Sequence, residues 1–280
     1  MSLQNKIEIQ GHRGARGLFP ENTITAFIEA VKMGVDALEM DVIISKDSQV
    51  VVSHEGWMNE DFCLQPNGNP VEKNSREKYN LFKMNYAEIV KFDCGRNGNP
   101  HFPSQKKISE HKPLLSEVFT KVEAYVKENN LPSVKYNIEI KSDVAEYGIF
   151  IPNPKTFVEL LYNEIKKNNF LERIIIQSFD VRVLQELRKK DSEIIISLLV
   201  ENREELMTNL NRLGFIPQIY APDFVMVNEK LVRELKNMNI KLIPWTVNET
   251  SDMEKLISLG VDGIITDYPD KAIELLKSIS

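Results

Sequence analysis

From residue 112 onward, apolar positions switch between two periods. Short runs rich in β-branched residues, at 134–140, 173–177, 193–199, 224–227, 241–245 and 263–266, read as strands. Between them, apolar residues three and four apart predict helices over 157–167, 181–190, 203–213, 230–238 and 251–259, with a last one over 271–279. Strands at 7–11 and 37–44 precede this series and bring the count to eight, each followed by a helical pattern. Eight βα units in 280 residues predict a (β/α)8 TIM barrel, with a doubly wound open sheet as the competing architecture.

One segment breaks the rhythm. Residues 55–112 carry turn chemistry (Asn67-Gly68-Asn69-Pro70, Gly95-Arg96-Asn97-Gly98) and scattered aromatics without a clean period. So long a connection is functional or folded in its own right. It is expected to form a small insertion on the barrel rim after the second strand, within a single domain spanning 1–280. The 141–154 connection is also long and holds Tyr147, Ile149, Phe150 and Ile151. It suits either an exposed lid or packing against the insertion.

Composition narrows the function. A 42% hydrophobic content supplies a large core, and a formal net charge of −6 argues against a nucleic-acid-binding surface. The longest apolar run, 194–200, falls far short of the roughly 18 residues of a membrane span. Residues 1–6 lack the apolar centre of a secretory signal, so a cytoplasmic protein is expected, with a periplasmic or secreted one as the alternative. Cys63 and Cys94 are too few for a zinc site and are expected as free thiols, a single bridge being the alternative for a protein outside the cytosol.

The chemistry gathers at strand ends. Gly11-His12-Arg13-Gly14-Ala15-Arg16-Gly17 follows the first strand, and its glycines permit a tight turn. Glu39 and Asp41 lie two apart, so they project from one face of their strand, as do Glu139 and Lys141 from theirs. Three carboxylates pointing into a barrel need partners. Salt bridges to Lys141 and Arg13 are the plain solution, but they leave three acids against two bases. A divalent cation resolves the imbalance, and all-oxygen ligands favour Mg2+ or Ca2+ over zinc. His12 and His54 each end a strand beside these acids, where one can act as base and the other as acid near neutral pH. His101 and His111, among prolines, read as surface residues. Gly11, Gly14 and Gly17 are spaced three and three, which is not the dinucleotide-binding G-x-G-x-x-G pattern. Trp245 ends the seventh strand and is either barrel core or an apolar wall for substrate. Asp180 reads as a helix N-cap, Asn248 as the start of a helix, and Asp262 and Asp267 as structural.

Taken together, His12-Arg13-Gly14, Pro20-Glu21-Asn22-Thr23, Glu39-x-Asp41, His54, Glu139-Ile140-Lys141, Ser178-Phe179, Trp245-Thr246-Val247-Asn248 and the closing Gly-Val-Asp-Gly-Ile-Ile-Thr-Asp-x-Pro resemble the glycerophosphodiester phosphodiesterase family. They extend in order from residue 11 to 269. The resemblance implies a TIM barrel with an insertion after the second strand, and one divalent metal held by Glu39, Asp41 and Glu139. It also implies His12 and His54 as the acid–base pair, and Arg13 and Lys141 as phosphate contacts. The implied reaction converts a small-molecule glycerophosphodiester to glycerol 3-phosphate and an alcohol. A lysophospholipase D activity is the alternative, with 147–151 as its apolar groove, and a non-catalytic binding barrel is another. Two departures stand out. Glu55 follows His54 where the family commonly has Asp, and Lys112-Pro113-Leu114-Leu115 replaces the usual Pro-Thr-Leu.

Overall fold

The computed structural model describes residues 6–168 and 170–279. Nine strands, β1 (Glu8–Gly11), β2 (Ala37–Ile44), β3 (Val50–Val52), β4 (Lys135–Ile140), β5 (Ile174–Ser178), β6 (Ile195–Val200), β7 (Ile219–Pro222), β8 (Lys241–Leu242) and β9 (Gly263–Thr266), belong to one sheet. The helices are α1 (Ile24–Met33), α2 (Tyr86–Ile89), α3 (Leu115–Glu128), α4 (Pro154–Lys166), α5 (Val181–Lys190), α6 (Leu206–Leu213), α7 (Glu229–Asn237), α8 (Thr250–Leu259) and α9 (Pro269–Ile279). All strands but β3 run parallel, in the order β8-β7-β6-β5-β4-β2-β1-β9. The ends of this order meet. Asp262 N–H donates to Leu242 C=O (2.9 Å) and Ile265 N–H to Pro244 C=O (3.0 Å), and the Asp262 carboxylate accepts from Leu242 N–H. The sheet is therefore an eight-stranded parallel barrel, as the periodicity predicts.

Every residue of β2 is buried because both its faces are covered, one by helices and one by the barrel interior. Leu38, Met40 and Val42 join the layer between sheet and helices, while Glu39 and Asp41 take the inward parity. Pairing sets Asp41 opposite Glu139, and Glu139 opposite Gln177. A polar layer of Gln10, Asn137 and Gln177 lies inside, joined by Asn137 donating to both glutamines at 2.7 and 2.9 Å. Ile175, Ile219, Ala221, Ile243 and Ile265 form the barrel's apolar filling.

Three expectations need correction. Residues 224–227 are not a strand. The barrel strand is β7, five residues earlier, and the Asp223 carboxylate accepts from Val225 N–H to turn the chain into a single 3-10 turn. Asn248 does not begin a helix, since α8 starts at Thr250 behind Glu249. Cys63 and Cys94 are not free thiols but a disulfide, with Cα atoms 3.9 Å apart. Leu64 and Asp93 exchange backbone hydrogen bonds (2.6 and 3.1 Å), which sets the flanking cysteines face to face despite a sequence separation of 31.

β3 turns back antiparallel on β2 and leads to His54. The following segment builds a second apolar cluster from Met58, Phe62, Val71, Tyr79, Leu81, Ile89 and Phe92 around the disulfide, closed underneath by Ile43 and Val51. It leans on the β1–α1 turn, where Lys106 N–H donates to Leu18 C=O and the Gln105 amide to Arg16 C=O, both at 2.8 Å. The 141–154 connection packs against it through Phe150, edge-on to Trp57 at 5.4 Å, and through Asn80 donating to Ile149 C=O. Phe150 and Ile151 are buried there, while Val144 and Ile149 stay exposed. No described helix is long and apolar enough to cross a membrane.

Candidate active site

The turn after β1 brings the first functional groups together. A side chain at Gly11 would stand 2.1 Å from the Gly14 carbonyl, and one at Gly14 would stand 2.7 Å from the Ala26 backbone, so α1 seats directly on the turn. Thr23 caps α1 by accepting from Ala26 N–H. Arg13 itself sits in the left-handed region (φ 50), which swings its guanidinium inward over β2. Its N–H donates to Glu39 Oε2 (2.8 Å), its Nη1 to Glu21 (2.7 Å), and its Nε lies 3.3 Å from Asp41. Asn22 clamps Asp41 from the other side, donating to Oδ2 at 2.8 Å and accepting from Asp41 N–H.

Glu39, Asp41 and Glu139 offer carboxylate oxygens that all lie within 4.8 Å of one another. Glu39 also accepts from the Gln177 amide, and Glu139 from Lys141 Nζ at 2.7 Å. Burial and the neighbouring carboxylates of Asp41 and Glu139 push the Glu39 carboxyl well up. Burial also raises Glu139, against the pull of Lys141. Burial works the same way on Asp41, but Arg13, His54 and Lys141 outweigh it and hold that carboxyl far below the usual range. Asp41 Oδ1 is buried without a hydrogen-bond partner. An orphaned carboxylate oxygen amid two further acids fits a hard divalent cation. The charge balance agrees. With every acid counted as ionised, Glu21, Glu39, Asp41, Glu55, Glu139 and Asp267 face Arg13, Arg16, Lys112 and Lys141, a shortfall of two positive charges that accompanies the raised Glu39 and Glu139 carboxyls.

The two histidines are differently housed. His12 Nδ1 lies 2.6 Å from Asp267 Oδ1, and Asp267 also receives Arg16 (2.8 and 3.0 Å) and the Asn248 amide (2.8 Å). Despite burial, His12 and Arg16 keep Asp267 ionised. A carboxylate only accepts, so His12 Nδ1 carries the hydrogen and Nε2 is left for chemistry. Burial and the nearby Arg16 lower the His12 pKa to about 4, so the ring is neutral at physiological pH. His54, with about a third of its side chain exposed, points Nδ1 at Glu55 Oε1 (3.0 Å). Burial alone would raise Glu55, but His54 and Lys112 hold it at about 2.

His12, Arg13, Glu39, His54, Glu139 and Lys141 line one cavity of about 190 Å3 at the C-terminal mouth of the barrel, with Asp41 buried beneath. Trp245 forms its apolar wall with Phe179, ring centroids 5.3 Å apart, and anchors its Nε1–H on Ala221 C=O. His101 is exposed and His111 half-buried, both away from this cavity. The structure adds Arg16, Gln177, Asn248 and above all Asp267 to the residues that sequence reasoning singled out. The signal for Asp267 was its place directly after the last strand, on the same rim as His12.

Arg13 and Lys141 beside two histidines with separate carboxylate partners, at the mouth of a parallel barrel, are a set of groups that suits a TIM-barrel phosphodiester hydrolase. More specifically, the chain belongs to the glycerophosphoryl diester phosphodiesterase family, whose sequence profile matches residues 12–271. It is 32% identical over 275 residues to a glycerophosphodiester phosphodiesterase of Caldanaerobacter subterraneus subsp. tengcongensis, covering 97% of this chain and 98% of that one. A solved protein of Silicibacter pomeroyi DSS-3, provisionally assigned to the same activity, superposes with a TM-score of 0.88 at 28% identity, covering 98% of this chain and 94% of the other. An Oleispira antarctica phosphodiesterase, solved with its product sn-glycerol-3-phosphate, shares the fold at a TM-score of 0.76 and 20% identity over 96% of both chains. Family membership makes this protein an enzyme acting on glycerophosphodiesters.

Proposed function

We propose that the chain hydrolyses a glycerophosphodiester to glycerol 3-phosphate and an alcohol, using His12 as base and His54 as acid. The observation that carries this reading is the convergence of both histidines, each with its own carboxylate, on the cavity that holds Arg13 and Lys141. His12 Nε2 takes a proton from the attacking group, a role suited to a ring that Asp267 holds in one tautomer. His54, nearer to solvent, gives a proton to the departing alcohol oxygen. Arg13 and Lys141 bind the phosphoryl oxygens, whose charge grows in the transition state. Glu39, Asp41 and Glu139 would hold one divalent cation, Mg2+ or Ca2+, which supplies Lewis-acid screening of the phosphate charge. Trp245 and Phe179 present an apolar wall to the substrate's carbon skeleton. The rim insertion, which begins directly after His54, shapes the leaving-group side. The product found in the Oleispira protein supports glycerol 3-phosphate as the retained half. The disulfide favours an oxidising compartment over the cytoplasm.

Turnover of glycerophosphocholine, glycerophosphoethanolamine and a lysophospholipid, each with EDTA, Mg2+ or Ca2+, tests the reading. Activity on the first two with either cation is expected, with a loss in kcat of about 10²–10⁴ in H12A and in H54A. Full activity in EDTA at verified negligible metal content refutes the cation, and a strong preference for the lysophospholipid replaces this reading with lysophospholipase D.

A further inference from the structure

Lys112 closes the insertion, where Val52 N–H donates to Pro113 C=O (2.8 Å) and Val51 pairs with Leu114. The residue is 6% exposed. Among the described residues its ammonium makes one hydrogen bond, to Ser53 Oγ at 2.8 Å, and no ion pair within 4.0 Å. Ser53 Oγ in turn donates to Glu55 C=O (2.6 Å), and Ser53 N–H donates to Asp41 C=O (2.9 Å). Lys112 and Glu55 therefore bracket the turn that carries His54, with Glu55 Oε1 on His54 Nδ1 and Glu55 Oε2 buried without a partner. A buried ammonium is costly where a methionine would fill the same space. Burial pulls the Lys112 pKa down, while the fields of Glu55 and Glu21 favour its charged form.

We propose that Lys112 is a positioning residue for His54. Its ammonium pins the 53–55 turn through Ser53 Oγ and balances the Glu55 carboxylate, which fixes the direction in which His54 presents Nε2. The inference rests on the reading of His54 as the acid, and it gives the insertion a part in the chemistry beyond shaping the rim. It also joins the two departures from the family pattern, Glu55 and the Lys112-Pro113-Leu114-Leu115 stretch, in one electrostatic unit.

K112M keeps length and removes the charge and its donors. On glycerophosphocholine it is expected to lower kcat about 10- to 100-fold, the usual effect of losing an orienting partner, with KM changed by less than about twofold. In an H54A background the same substitution is expected to cost nothing further, because both act on one proton transfer. On a nitrophenyl diester, whose leaving group needs little protonation, the K112M loss shrinks. An unchanged kcat in K112M, or an equal loss with and without His54, overturns the proposal, the second outcome marking a general packing role. If K112M does not fold, S53A breaks the same hydrogen-bond chain and is read in the same cycle by the same criteria. Wild-type kcat in H54A alone on glycerophosphocholine refutes the role of His54 first, and Lys112 falls with it.

Discussion

Neutralising two acids of the same trio should have opposite consequences for stability. Burial disfavours the charged form of Glu139, against the pull of Lys141, so E139Q removes a disfavoured charge while an amide oxygen still accepts from Lys141. Asp41 is held firmly ionised by Arg13, His54 and Lys141, so D41N strips a buried guanidinium of one of its two carboxylates. Breaking a buried pair costs about 3–5 kcal/mol, and Glu21 remains with Arg13, so about 2 kcal/mol is expected for D41N. For a chain of this size that lowers Tm by about 4–8 °C in EDTA, against little change or a small rise for E139Q. Adding Mg2+ or Ca2+ to the wild type at about 100 Kd stabilises by about 2.7 kcal/mol, a rise of about 5–10 °C, and neither variant should show it. Differential scanning calorimetry with EDTA and with graded cation reads all three proteins. Equal stability of D41N and E139Q in EDTA refutes the ion-pair argument, and a wild-type cation shift in both refutes the ligand set.

D267N should lower kcat by about 10²–10⁴ in steady-state assays, with KM little altered, because an amide no longer holds His12 in a single tautomer; wild-type kcat would show that His12 needs no orienting carboxylate. Glu123 on α3 accepts from Arg173 and Tyr136, which outweigh burial and depress its pKa. A depressed folded-state value stabilises above the unfolded pKa of about 4.3 and is lost as pH falls below it. E123Q should therefore cost about 1 kcal/mol at pH 7, a modest figure for a partly exposed pair, and progressively less as pH falls from about 4.3 through the lower folded-state value, as urea melts at pH 7 and in acid would show.

The parts of the fold legible in the sequence were those with a strong local period. β2, β4, β5 and β9 have runs of β-branched or apolar residues bounded by turns, and inward parity alone placed Glu39 with Asp41 and Glu139 with Lys141. β7 escaped because Ile219-Tyr220-Ala221-Pro222 is short and ends in proline, whereas Phe224-Val225-Met226-Val227 imitates a strand. Only the Asp223 turn distinguishes them, and Val225 is in fact solvent-exposed. Asp267 resembles any aspartate ahead of a proline-led helix, and its partners His12 and Arg16 are more than 250 positions away. The cysteines were misjudged for the same reason, since only the Leu64–Asp93 pairing brings them together.

The contact between His12 and Asp267 joins the first strand of the barrel to the last across 255 positions. A ribosome must release the chain past residue 267 before that contact exists. Any product stopped short of β9 lacks both the seam that closes the barrel and the carboxylate that pairs with His12. Truncated translation products are thus left open along a strand edge, so that proteolytic quality control meets an exposed sheet rather than a closed barrel.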